Sequence, residues 1–126
     1  MERKPQEGPL QGVRILDFTR LYPGPLGTMM LADMGADVIK IEYVNAPDYM
    51  RFYPPYIKSE SAGFIAVNRS KRSLALNLKT PKGVGIFLSL VKTADIVIEQ
   101  FRPGVLDEMG IGYNQARQVK ENIIYV

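Results

Sequence analysis

Between Val13 and Glu42 the sequence VRILDFTRLYPGPLGTMMLADMGADVIKIE leaves little choice of local structure. An apolar run, Val13 to Asp17, passes through a loop rich in proline and glycine. It continues into a segment whose large apolar residues Leu26, Met29, Met30 and Met34 recur at helical spacing. Pro25 suits a first helical turn, where a missing N–H costs nothing, and Gly35 suits the left-handed residue after the last turn. Asp37 to Glu42 then predicts a second strand. So short a return through one helix fits a right-handed crossover between parallel strands. Open parallel sheets bind their ligands at the carboxyl ends of strands, so any ligand is expected near Asp17 to Gly24 and near Glu42.

The rest of the chain extends this pattern. Tyr43 to Lys58 has prolines, no period and a high density of aromatic residues, and so long a loop in a compact domain is usually functional or disordered. Disordered segments are poor in aromatics, so this one is expected to be either a binding flap or a loop whose rings cover the core. Ser61 suits the cap of a short helix reaching Asn68, and Asn68 to Arg72 forms a basic turn. Ser73 to Leu78 alternates as a third strand. Thr80 and Pro81 start a helix with Val84, Phe87, Leu88 and Val91 on one face. Asp95 to Glu99 predicts a fourth strand, Val105 to Gly110 a short helix, Asn114 to Lys120 another, and Asn122 to Val126 a last strand. The order indicates an α/β domain with a mainly parallel sheet and helices on both faces. Strand order is not legible at this level. Residues 1–9 are expected to be a flexible tail and 10–126 a single domain segment, with the strand pattern running to Val126 read either as a legitimate final strand or as a sign that this is the front portion of a longer protein.

Composition narrows the chemistry. The 126 residues include no cysteine and no histidine, which removes disulfides, thiol nucleophiles and the commonest metal ligand and general base. No metal is therefore expected. No apolar run approaches a membrane span and the start is too polar for a secretory signal, so a cytoplasmic setting without membrane contact is the expectation. A net charge of +3 favours anionic partners, a condition that phosphate-bearing small molecules satisfy as well as nucleic acid.

Asp17, Glu42 and Glu99 stand at strand ends, where they are candidates for acid/base or nucleophilic work. Equally, each could simply accept hydrogen bonds from nearby N–H groups. Arg51, Arg69, Lys71, Arg72, Lys79 and Arg102 fall in loops or at strand ends. With Tyr22, Tyr43 and Phe101 in the same loop layer, they suit a ligand carrying phosphates and a flat base. A set of solvated surface charges is the alternative. Neither a Walker loop nor a dinucleotide GxGxxG fingerprint is present. A small RNA-binding domain would rest on charge and aromatics alone, and the lack of a strand with paired stacking aromatics argues against nucleic acid.

Leu16 to Arg20 followed by Pro23-Gly24-Pro25, then Leu31 to Glu42, then Asn68 to Lys79, then Glu99 to Gly104, resemble the amino-terminal part of the class III coenzyme A transferases. That family also includes α-methylacyl-CoA racemases and carnitine-CoA transferases. The resemblance implies a Rossmann-like domain that binds CoA, within subunits that interlock as a homodimer. It implies that CoA meets Leu21, Tyr22 and Pro23 after the first strand, Tyr43 after the second, Leu76, Asn77, Leu78 and Lys79 at the third, and Gln100, Phe101 and Arg102 at the fourth. Arg51 in the flap is expected to reach a phosphate. Tyr43 and Glu108 depart from the family pattern, since some relatives carry basic residues there. The implied function is the acyl-CoA-binding part of an enzyme that moves CoA between carboxylic acids. An acyl-CoA racemase relative and a stand-alone CoA- or nucleotide-binding module are the alternatives. The reacting aspartate of the transferases comes from sequence after the equivalent of Val126, so no catalytic residue is assigned, and the remainder of the enzyme or a complementary chain is an expected partner.

Overall fold

The structure is a computed structural model that describes residues 7–126. Most of the expected tail, residues 1–6, lies outside the described residues, while Leu10 donates its N–H to the Met34 carbonyl at 3.0 Å. Strand β1 is Arg14–Asp17, helix α1 Pro23–Asp33 and strand β2 Asp37–Tyr43. There follow a 3-10 turn at Tyr49–Phe52, β3 at Tyr56–Ile57, β4 at Glu60–Ser61 and α2 at Ala62–Asn68. Then come β5 at Arg72–Leu76, α3 at Pro81–Val91, β6 at Ile96–Ile98, α4 at Val105–Glu108, α5 at Tyr113–Val119 and β7 at Ile124–Tyr125.

Five strands form one parallel sheet in the order β5-β2-β1-β6-β7, while β3 and β4 make a small antiparallel hairpin. Successive crossovers build outward from β1 through β2 to β5, and the chain then returns to place β6 on the other side of β1. That reversal falls between β1 and β6, the kind of switch point at whose carboxyl side open α/β sheets generally bind their ligands.

The caps explain where helices begin. Thr80 Oγ1 accepts from Gly83 N–H at 3.1 Å, with Pro81 at the first helical position, and Ser61 Oγ accepts from Phe64 N–H at 3.4 Å. Gly35, at φ 100°, ends the excursion after α1 as its sequence position suggested.

Strand alternation divides the core. Leu16, Ile39, Ile41, Leu76 and Val97 face Phe87 and Val91 of α3, Leu106 of α4 and Ala116 of α5. On the opposite face Ile15 and Val38 pack against Ala32 and Ala36 at α1. Two residues further along the same rows, and four for Glu42, the period of 2 places Asp17, Lys40 and Glu42 on that second face, and all three are buried. Their amino-terminal half is therefore apolar and their carboxyl-terminal half ionic.

The stretch after β2 carries more regular structure than its sequence shows. It holds the 3-10 turn and the hairpin, and the rings of Tyr49, Phe52, Tyr53 and Tyr56 are each more than half exposed. They do not cover the core. Asp48 holds the turn from within, accepting from Met50 N–H at 3.0 Å. Among the described residues no helix is long and apolar enough to cross a membrane.

Phe87 is fully buried and its ring lies 5.2 Å from that of Phe18, centroid to centroid. Phe87→Ala is expected to cost about 3–5 kcal/mol of stability, read from urea denaturation followed by circular dichroism.

Candidate functional site

The carboxyl ends of β5, β2, β1 and β6 lie side by side, with Asp17 level with Lys40 and Ile98, and Tyr43 level with Leu76. Their loops are stitched together. Val44 N–H donates to Leu76 O at 3.2 Å, Leu21 N–H to Asp48 Oδ1 at 2.9 Å, and Gln100 Nε2 to Arg20 O at 3.0 Å. Gly24 makes the last contact possible: a Cβ there would stand 2.4 Å from Gln100 Oε1 and 2.5 Å from Thr19 Cβ.

Beneath this layer the strand-end carboxylates are committed to structure. Asp17 Oδ1 accepts from Thr19 N–H at 2.8 Å, and Oδ2 accepts from Thr28 Oγ1 at 2.6 Å and Lys71 Nζ at 3.1 Å. Glu42 holds Arg51 through both oxygens, at 2.9 Å from Nε and 2.6 Å from Nη2, and accepts Asp48 N–H at 2.9 Å. Glu99 Oε2 accepts Phe101 N–H, which shapes the turn after β6. The alternative of local hydrogen-bond acceptance therefore describes all three.

A third buried pair joins Lys40 Nζ to Asp48 Oδ2 at 2.9 Å, and Lys40 also donates to Thr19 O at 2.7 Å. Burial pushes the Glu42 carboxyl toward higher pKa, but the Arg51 guanidinium and the Asp48 N–H outweigh it and hold the group below the usual range. Asp48 behaves alike: burial raises it, and the Leu21 and Met50 N–H groups with Lys40 bring it below its ordinary value. For Lys71 burial lowers the pKa, and Asp17 restores only part of the loss.

The residues expected at the ligand separate into three groups. Lys79, Arg102, Tyr22, Pro23, Leu21 and Gln100 are exposed at the carboxyl edge, with Tyr43, Asn77 and Phe101 half-buried among them. Lys79 Nζ stands 5.4 Å from the centroid of the Tyr43 ring. Leu76 and Leu78 point into the core, so their side chains are closed to a ligand. Arg51 is turned inward, bound to Glu42 and lying 3.8 Å over the Phe64 ring, which leaves Nη1 alone outside the ion pair.

Of the other cations named from sequence, Lys71 is buried on Asp17, Asn68 and the Pro25 carbonyl, and Arg69 and Arg72 pair with Asp33 and Asp37. They belong to the fold. Sequence gave Arg20 no role, yet its Cζ lies 4.9 Å over the Phe101 ring in the same layer. Its place between β1 and the predicted contact Leu21 was the available signal.

Two clefts touch this region. One, of about 420 Å³, is lined by Leu78, Lys79, Thr80, Pro81, Val84, Glu108 and Met109, at the start of α3. Its lysine and helix start favour an anion, and Glu108 on the facing wall limits that preference. The other, of about 330 Å³, lies between α2 and the sheet and includes Lys40, Arg51, Lys71 and Arg72. All four of its cations are already ion-paired. Among the described residues no group of three or more acidic side chains is placed to hold a metal ion.

Comparison with known proteins gives a match over residues 10–126 to the model of CoA-transferase family III. The succinyl-CoA:glutarate CoA-transferase of Mus musculus is 48% identical over 93% of this chain and 27% of its own length. The acetyl-CoA:oxalate CoA-transferase of Acetobacter aceti is 43% identical over 94% of this chain and 31% of its own. A CAIB/BAIF family protein from Brucella suis superposes with a TM-score of 0.87 at 35% identity, over 95% of this chain and 33% of that structure. The chain thus spans about a third or less of the length of these three proteins.

Glu42 and Asp48 have folded-state pKa values below their unfolded ones, so their contribution to stability is complete above the unfolded values and lost as pH falls through the folded ones. Stability is expected to decline as pH drops below about 4.5, the ordinary glutamate value. Arg51→Leu removes the chief hydrogen-bond partner of Glu42, and should flatten that decline while lowering stability at neutral pH. Urea midpoints measured from pH 7 to pH 3 read both effects.

Proposed function

The chain belongs to CoA-transferase family III, and on that premise we propose that it is the amino-terminal, CoA-binding part of an enzyme that moves CoA from an acyl-CoA to a carboxylic acid. The observation that carries the reading is the layering of charge at the carboxyl edge. Lys71, Lys40 and Arg51 are neutralised beneath it, whereas Lys79 and Arg102 stand exposed above it, with no carboxylate partner among the described residues. Unspent cations beside the rings of Tyr43 and Phe101 suit a ligand with phosphates and a purine.

The names of the relatives support transfer over racemisation, because those compared act on succinyl-CoA with glutarate and on acetyl-CoA with oxalate. In this reading the attacking carboxylate lies outside these residues. Asp17 and Glu42 are locked in buried pairs, and protonating or freeing either would cost the fold its ionic support. The complementary sequence, an interlocked homodimer and a cytoplasmic setting belong to the same proposal.

Calorimetric titration with CoA tests it. Lys79→Ala and Arg102→Ala are each expected to weaken binding about tenfold, the usual worth of a charge-assisted hydrogen bond. The loss should shrink as salt rises, since both side chains are exposed. Unchanged affinity in both variants would remove the carboxyl edge as the carrier site.

A further inference from the structure

Among the described arginines, Arg102 and Arg117 are exposed and meet no acceptor, while the others divide by partner. Arg14 and Arg72 bridge to Asp37, Arg51 to Glu42 and Arg69 to Asp33. Arg20 is different: it is half-buried, yet among the described residues its guanidinium meets no acceptor and lies only over the Phe101 ring. Its backbone is fixed on both sides. The Arg20 carbonyl accepts from Gln100, and Leu21, at φ 63°, is held in the left-handed region with its N–H on Asp48. Leucine adopts that conformation only where its surroundings enforce it. The loop thus holds Arg20 at the carboxyl ends of β1 and β6, where the direction of the crossovers reverses.

In sheets of this kind a diphosphate ordinarily rests on free N–H groups at the start of the first helix. Here α1 has few to offer. Pro23 and Pro25 have no N–H, and that of Leu26 is taken by the Tyr22 carbonyl at 2.9 Å, which leaves Gly24 as the one donor of the first turn.

We propose that Arg20 binds the diphosphate of the carrier, its guanidinium supplying the donors that the two prolines remove from α1. The assignment rests on the carrier reading above. A planar fork stacked on Phe101 is already oriented, so two parallel hydrogen bonds to phosphate oxygens form with little loss of side-chain freedom. Lys79 stands over Tyr43 at the β2 and β5 side, so the cations on the loops after β1 and β6 are Arg20 and Arg102, and of these two it is Arg20 that lies over a ring.

The test compares three probes on the unaltered chain, Arg20→Ala and Arg20→Lys by calorimetry: CoA, dephospho-CoA, which keeps the diphosphate, and pantetheine, which has no phosphate. Arg20→Ala is expected to weaken CoA and dephospho-CoA by the same factor, about 10- to 100-fold, and to leave pantetheine unchanged. Arg20→Lys should recover part of the loss, because it keeps charge without the fork. A loss confined to CoA would assign Arg20 to the 3′-phosphate and overturn the proposal. An equal loss of pantetheine, or a fall in melting temperature with it, would mean a structural role and overturn it too. Tight CoA binding unaffected by Arg20→Ala would refute this assignment alone, whereas no CoA binding by the unaltered chain would refute the carrier reading and this one together.

Discussion

The Lys40–Asp48 pair, fully enclosed at 2.9 Å, is the contact on which the carboxyl edge depends. An isolated charge of either sign at that depth would be costly; Asp48 Oδ2 meets Lys40 as an ion pair without a hydrogen bond of its own, and the pair is tolerable because each partner is hydrogen-bonded through its other atoms. Lys40 donates to the Thr19 carbonyl, and Asp48 Oδ1 accepts from the Leu21 and Met50 N–H groups. One pair thereby ties the loop after β1, the strand β2 and the 3-10 turn into a single support. Glu42 with Arg51 and Asp17 with Lys71 flank it. Three acids and three bases balance one another, so the support is neutral.

That neutrality matters for the surface above. If the buried cations were unpaired they would set the field at the edge, and the exposed residues would add little. Because they are paired, the positive character of the edge comes from Lys79, Arg102 and Arg20, which have no carboxylate partner among the described residues. The same support holds the flap: Asp48 and Arg51 point inward while Tyr49, Phe52, Tyr53 and Tyr56 stay in solvent. The outward rings are thus carried on a turn whose inner side is ionic rather than apolar.

Much of the fold was legible because its signals are local. Thr80 with Pro81, Ser61, and Gly35 act through their own turns, and the apolar spacing of α3 is a property of one segment. The strand runs and the crossover logic of Val13 to Glu42 likewise need no distant partner. The hairpin β3–β4 escaped notice because two-residue strands carry no period to detect. The gathering of the candidate loops at one end of the sheet was legible, but not the packing and ion pairs of their residues. Leu76 and Leu78 turned out to be core, and Lys71 and Arg51 to be structural cations, since a basic residue in a loop reads the same whether its carboxylate lies 54 residues away or nowhere.

The amino-acid sequence alone determined the alternation of strands and helices, the caps that bound them and the loops that gather at one end of the sheet. Each of these follows from backbone preference and side-chain period within a few residues. Tertiary structure alone decided the strand order, which charges neutralise one another in the interior, and which are left unpaired at the carboxyl edge. Ion pairs form between residues that the fold brings within 3 to 4 Å, and separation along the chain carries no record of that approach.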